Sequence, residues 1–145
     1  MIGRDRTVRG ATLVPGTVHA KLITLSEPLS FWGGFDAATG LVTDQRHPDV
    51  GQCLTEKIVR MTAARGSSSG SSVLAEAIRL GTAPAGFLVR ERDAILLLAA
   101  QVALELYGRK CVIVQLDAMA YEAVGHAKKV DVHAEPGGAQ LHLKF

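Results

Sequence analysis

The chain reads as an α/β domain with a β-rich start, and three observations predict this. Extended, turn-punctuated segments fill the sequence from residue 12 to residue 61. Helical spacing of apolar residues first appears at Val73, and strand and helix patterns alternate from there. Aromatic residues make up only 5% of the 145 residues while glycines number 15, a composition suited to short strands joined by tight loops. At 48% hydrophobic and 21% charged, the chain can bury a core and is expected to fold as one domain over 1–145.

Taken in order, Thr12-Leu13-Val14 and Gly16 to Ala20 read as extended, with Pro15 a bulge or edge between them, and Lys21 to Thr24 continues the signal. EPLSFWGGFDAATG is rich in turn residues and reads as a loop, followed by a short strand at Leu41-Val42-Thr43. His47-Pro48-Asp49-Val50-Gly51 reads as a turn, with His47 a turn residue, and Lys57 to Met61 as a strand. Val73, Leu74, Ala77, Ile78 and Leu80 have helical spacing, with Gly81 placed to end the helix. Ala85 to Val89 reads as a short apolar strand. Asp93 is placed to cap a second main helix, Ala94 to Leu106, whose nearly all-round apolar character predicts burial, and Gly108 closes it. Cys111 to Leu116 reads as a buried strand. Val130 to His133 and Gln140 to Leu143 alternate around Pro136-Gly137-Gly138 and predict a terminal hairpin.

Several functional classes are disfavoured. A net charge of +2 with scattered basic residues does not suit a nucleic-acid partner. Arg4, Arg6 and Arg9 read as a solvated, partly frayed start, and together with Asp5 they interrupt any apolar leader. The longest apolar run, Ala94 to Ala100, is far short of a membrane span. The two cysteines, Cys53 and Cys111, form no C-x-x-C pair, so no metal ligand set is visible, and a reduced, cytoplasmic compartment is expected. His126, His133 and His142 receive no role.

Gly66-Ser67-Ser68-Ser69-Gly70-Ser71-Ser72 is the segment that bears chemistry. Four readings apply. A flexible linker conflicts with the strand and helix that frame it at once. Helix capping accounts for one serine and not for five. A nucleophile elbow matches Gly66-Ser67-Ser68-Ser69-Gly70, with Asp117 and His126 following in order, but the pattern is easily met in any Ser/Gly run. An anion site at a helix N-terminus would suit a small carboxylate or phosphate, or a serine that must exist briefly as an alkoxide. Arg65 could add a bidentate grip on a substrate carboxylate.

The series Pro28-Leu29-Ser30-Phe31-Trp32-Gly33-Gly34-Phe35-Asp36, Thr39-Gly40, His47-Pro48-Asp49-Val50-Gly51, Arg65-Gly66-Ser67-Ser68-Ser69-Gly70-Ser71 and Pro84-Ala85 resembles the small subunit of the aconitase X type over nearly the whole chain. The resemblance implies a swivelling β/β/α domain that closes over a large subunit. That subunit would hold an iron–sulfur cluster through its own cysteines, the active site lying between the two. It further implies a cytoplasmic hydro-lyase in which the small subunit supplies the serine base. In ordinary aconitases that serine follows a glycine in a G-S-S-R-E motif. The matching position here is Ser67, and Ser69-Gly70 stands where that motif has Arg-Glu. Arg65 is the candidate replacement, with Gly66, Ser68, Ser69, Gly33 and Gly34 as further substrate-binding candidates.

For each of these a structural reading stands beside the functional one. Ser68 and Ser69 could simply support the turn, and Gly33-Gly34 could simply form one. Phe31 and Trp32 pack either into the partner or into the core, and Asp36 caps its turn or lines the site. The family offers two substrates, cis-3-hydroxy-L-proline and mevalonate 5-phosphate. An Arg- and Ala-rich chain with few cations beside the serine turn favours the first, with 1-pyrroline-2-carboxylate as product. A non-catalytic lid or assembly domain is the alternative from another class.

Overall fold

The computed structural model describes residues 6–145, so Arg4 and Asp5 lie outside it. Strands β1 (Arg6–Val14) and β2 (Gly16–Thr24) are long, and Pro15 turns the chain between them. A short helical turn, α1 (Phe31–Gly34), is followed by a two-residue ladder, β3 (Phe35–Asp36) with β4 (Leu41–Val42). The α/β part is β5 (Ile58–Arg60), α2 (Ser69–Leu80), β6 (Gly86–Val89), α3 (Ala94–Tyr107) and β7 (Val112–Gln115). Then come α4 (Ala118–Val124) and the hairpin β8 (Lys129–Glu135) and β9 (Gly138–Lys144).

Seven of the strands close a barrel in the order β1-β7-β6-β5-β2-β8-β9. Its two long strands each serve two neighbours. The first half of β1 pairs antiparallel with β9 (Arg6 opposite Leu143) and its second half with β7 (Ala11 opposite Gln115). The first half of β2 pairs with β8 and its last residues run parallel to β5. The hand-over on β1 falls at Gly10, where a Cβ would stand 2.5 Å from Val114 Cγ1 and 2.9 Å from the Gln115 carbonyl, so only glycine lets the strands approach at this corner.

Alternation along the central strands divides the core in two. Ile58, Leu88, Val112 and Val114 point into the barrel, where they meet Val130, Val132, Leu141 and Leu143 of the hairpin. Val59, Phe87, Val89 and Ile113 point out and are covered by Leu74, Ala77 and Ile78 of α2 and by Leu96, Ala99 and Ala103 of α3. Helix α4 adds Ala120, Tyr121 and Val124 to the barrel core. Arg60, at the end of β5, ties it there by donating to the Tyr121 carbonyl at 2.8 Å and stacking 4.3 Å over the Tyr121 ring.

Four expectations need correction. Arg6 and Arg9 belong to a strand whose first half is paired with β9, in which Val8 packs on the barrel core and Gly10 against Val114 while both arginines stay exposed. The stretch read as a loop also holds the short strand β3, which follows a tight turn at FWGG where Trp32 and Gly33 leave helical geometry. Helix α2 begins at Ser69, inside the serine block and four residues earlier than its first apolar residue. Helix α3 is buried on one face only: Leu96, Ala99, Ala100 and Ala103 are covered, while Leu98, Leu104 and Leu106 are exposed.

Candidate active site

The serine turn hangs between β5 and α2, and Met61, Thr62, Ala64 and Arg65 on the way to it are tied down. Met61 N–H donates to the Leu88 carbonyl, and Arg90 and Glu91 N–H both donate to the Thr62 carbonyl. Ala64 N–H donates to Asp93 Oδ2 at 2.8 Å, while Asp93 Oδ1 accepts from Leu96 N–H at 3.0 Å and so caps α3. Asp93 therefore joins the start of α3 to the approach of the serine turn, and it is itself buried. Leu29 bridges to Ala64 in parallel, and Arg65 N–H donates to the Leu29 carbonyl at 3.0 Å. These bonds bring the Ser30–Gly34 turn beside the serines.

Gly66 takes φ 107°, which side chains avoid, and a Cβ there would lie 3.0 Å from Ser30 Oγ. The chain then turns directly into α2. Ser67 accepts at two points: its carbonyl takes the Gly70 N–H at 3.0 Å, and its Oγ takes the Ser69 N–H at 3.4 Å. Ser67, Ser68 and Ser69 are all exposed. Ser68 is the residue before the helix, but its hydroxyl makes no capping bond. Ser71 is buried and donates to the Ile95 carbonyl at 2.8 Å, which fastens α2 to α3. The five serines thus divide: Ser71 is structural, Ser67 faces a helix N-terminal donor, and the others present free faces at the positive end of α2.

Arg65 is exposed, and no hydrogen bond or ion pair among the described residues fixes its guanidinium, so it can reach a ligand above the turn. Phe31 is fully buried, with edge-to-face contacts to Phe35 and Phe87 at 5.2 and 5.9 Å, and it anchors the neighbouring turn. Trp32 is 65% exposed. Gly33 is exposed with φ 80° and open space where a Cβ would stand. Gly34, expected beside a ligand, is instead turned inward. It is buried against Asp44 and Leu29, and its carbonyl accepts from Thr43 N–H at 2.9 Å.

Asp36 caps its own turn, taking Ala38 N–H at 3.0 Å and the Thr39 hydroxyl at 2.8 Å. His47 lies in a turn as expected but is also buried. Its Nδ1 accepts from Asp49 N–H and its Nε2 lies 3.0 Å from the Glu27 carbonyl, which fixes the proton on Nε2. Asp117 caps α4 through Ala120 N–H and lines a depression of about 700 Å³ with Arg9 and Arg90. No serine of the turn lines that depression, so the elbow reading finds no support there.

The cysteines do not fit a cluster. Cys53 is half-buried with Sγ 4.0 Å from the Thr39 carbonyl, and Cys111 is buried against the Pro84 carbonyl, with burial pushing its thiol up to about 12. Among the described residues, no group of three or more His, Cys, Asp or Glu side chains is placed to hold a metal ion. Among them, too, no helix is long and apolar enough to cross a membrane.

Known proteins share much of this sequence and its fold. A cis-3-hydroxy-L-proline dehydratase of Pseudomonas aeruginosa is 47% identical over 98 residues, which is 68% of this chain and 17% of that protein. A phosphomevalonate dehydratase small subunit of Methanopyrus kandleri is 46% identical over 79 residues, 54% of this chain and 58% of that one. The chain therefore spans about a sixth of the first relative's length and under two thirds of the second's. The holo-form crystal structure of aconitase X from Thermococcus kodakaraensis superposes with a TM-score of 0.77 at 28% identity, covering 94% of this chain and 98% of that one. The family model for the aconitase X swivel domain matches residues 7–141, and the chain belongs to that family.

Proposed function

We propose that this chain is the swivel component of a two-part hydro-lyase and that Ser67 is the base that takes the substrate proton. The observation that carries this is the position of Ser67. Its exposed Oγ lies at the N-terminus of α2 and receives the Ser69 N–H. A serine hydroxyl is a weak base, and it serves only where its alkoxide is stabilised by preorganised donors. The Ser69 N–H and the positive end of a 12-residue helix supply that stabilisation.

The favoured substrate is cis-3-hydroxy-L-proline. Ser67 would remove the proton at C2, next to the carboxylate, and hydroxide would leave C3. The resulting enamine tautomerises to 1-pyrroline-2-carboxylate, and one water is lost in all. Arg65, across Gly66 from the base, would hold the substrate carboxylate in two hydrogen bonds. Ser68 and Ser69 would bind substrate oxygens from the same turn. The departing hydroxide would be served by groups outside this chain, in a large subunit that would also carry the iron–sulfur cluster; among the described residues no set of side chains is placed to hold a metal ion.

The match to the Methanopyrus kandleri small subunit supports a second reading, dehydration of mevalonate 5-phosphate by the same serine. Co-expression with the large subunit and assay with both substrates separates the two. In that complex Ser67→Ala should lower turnover of the true substrate by at least about 100-fold, the range of a lost general base. Turnover near the normal rate in Ser67→Ala would leave the chain as a lid or assembly domain.

A further inference from the structure

We propose that Trp32 and Leu98 form the surface on which the large subunit docks, an inference that rests on the two-part reading above. Trp32 is the single tryptophan of the chain, and it stands 65% exposed next to the fully buried Phe31. The backbone puts it there. Trp32 leaves helical geometry (φ −83°, ψ 113°), and Gly33 follows at φ 80°. A large apolar side chain held in water by an ordered turn is costly for a lone domain and useful at an interface, where tryptophan is enriched and often dominates affinity.

The surroundings extend the patch. At Gly70 the three helical elements converge: a Cβ there would lie 3.5 Å from Ile95 Cγ2 and 3.7 Å from both Phe31 Cβ and Trp32 N. Leu98 lies one helical turn along α3 from Ile95 and is 47% exposed. The Trp32 backbone and Ile95 thus meet at the first turn of α2, with Leu98 one turn beyond, and Ser67 is exposed two residues before that helix begins. A serine base needs the rest of its pocket, and 98 aligned residues make up only 17% of the Pseudomonas aeruginosa relative. The rest of that relative is several times larger than this chain, and a large subunit of that size that reached Ser67 would cover this patch. Two other exposed apolar residues, Leu106 and Met119, lie elsewhere. Leu106 is eleven positions beyond Ile95 on α3, roughly 16 Å by helical rise. Met119 sits on α4, which packs on the barrel core.

Hydroxyl-radical footprinting of the co-expressed complex tests the proposal without a substitution, because tryptophan and methionine both oxidise readily. With each rate divided by that of the same residue in the unfolded chain, Trp32 should be protected about tenfold more than Met119, as expected at the dry centre of an interface. Equal oxidation of the two overturns the proposal. In a second arm, Trp32→Ala should raise the dissociation constant of the complex by roughly 30-fold, a hot-spot loss, while Leu106→Ser and Met119→Ser leave it within about twofold. The turnover number of Trp32→Ala at saturating large subunit should stay within about threefold of normal. An unchanged dissociation constant, or equal weakening by Met119→Ser, sinks the assignment. The base reading fails separately: Ser67→Ala tests turnover, and neither arm here depends on it.

Discussion

Ser67 and Ser71 are four positions apart in one Ser/Gly run, yet their surroundings differ completely. Ser71 Oγ is buried on the Ile95 carbonyl, and Ser67 Oγ stands in solvent against the Ser69 N–H. The sequence shows five equivalent serines, because what separates them is α3, whose contact is made 24 residues away. Only the resemblance singled out Ser67 in advance. His47 shows the same limit: the His-Pro-Asp pattern marks a turn, but burial comes from the Glu27 carbonyl, 20 residues upstream. The two thiols also diverge by environment. Cys53 is half-buried, and Thr55, through its side chain first and its backbone N–H second, holds its thiol below the ordinary value. Cys111 is buried and pushed up to about 12. Iodoacetamide at neutral pH should therefore label Cys53 and spare Cys111 in the folded chain, since the thiolate is the nucleophile. Peptide mass spectrometry reads the outcome, and equal labelling of both would contradict it.

At the scale of elements, the signals that proved legible are local ones. Asp93 caps α3, and Gly81 and Gly108 end α2 and α3 in the left-handed conformation, as their positions beside periodic apolar runs predict. Helix α4 escaped because seven residues give too short a period to read, and Asp117 drew attention only as a possible partner of a serine. The start of α2 was hidden because Ser69 to Ser72 carry no apolar face. Asp93 had a second task that no local pattern reveals, the bond from Ala64 N–H. Removing it should cost two charge-assisted hydrogen bonds at once. Asp93→Ala is expected to lower stability by about 2–3 kcal/mol in denaturant unfolding. It should also lower turnover of the complex, because the approach to Ser67 loses its tie. Asp93→Asn keeps an acceptor oxygen and should recover part of both. A variant as stable as the parent would show that the cap does not hold the turn.

For the molecule as a whole, the order of elements was readable but the barrel was not. Its closure depends on β1 handing over from β9 to β7, pairings between opposite ends of the sequence, and no local pattern encodes them. The hairpin that completes the barrel is held on its outer face by one carboxylate. Asp131 of β8 takes His19 Nδ1 of β2 at 2.9 Å and Lys144 Nζ of β9 at 3.1 Å, so three adjacent strands share it. These contacts, His19 first and Lys144 second, hold its carboxyl below the ordinary value. A lowered folded pKa means that the carboxylate stabilises the fold fully above the unfolded value of about 3.9, and that this contribution is lost as pH falls through the folded value. The pair faces solvent, so its worth is about 0.5–1 kcal/mol. Asp131→Asn should thus lower the melting temperature by about 2–4 °C near pH 7. The gap between variant and parent should close as the pH falls through the lowered folded value, below which both are uncharged at this position. Calorimetry across that range checks it. A gap that persists at low pH would mean that Asp131 acts through packing rather than charge.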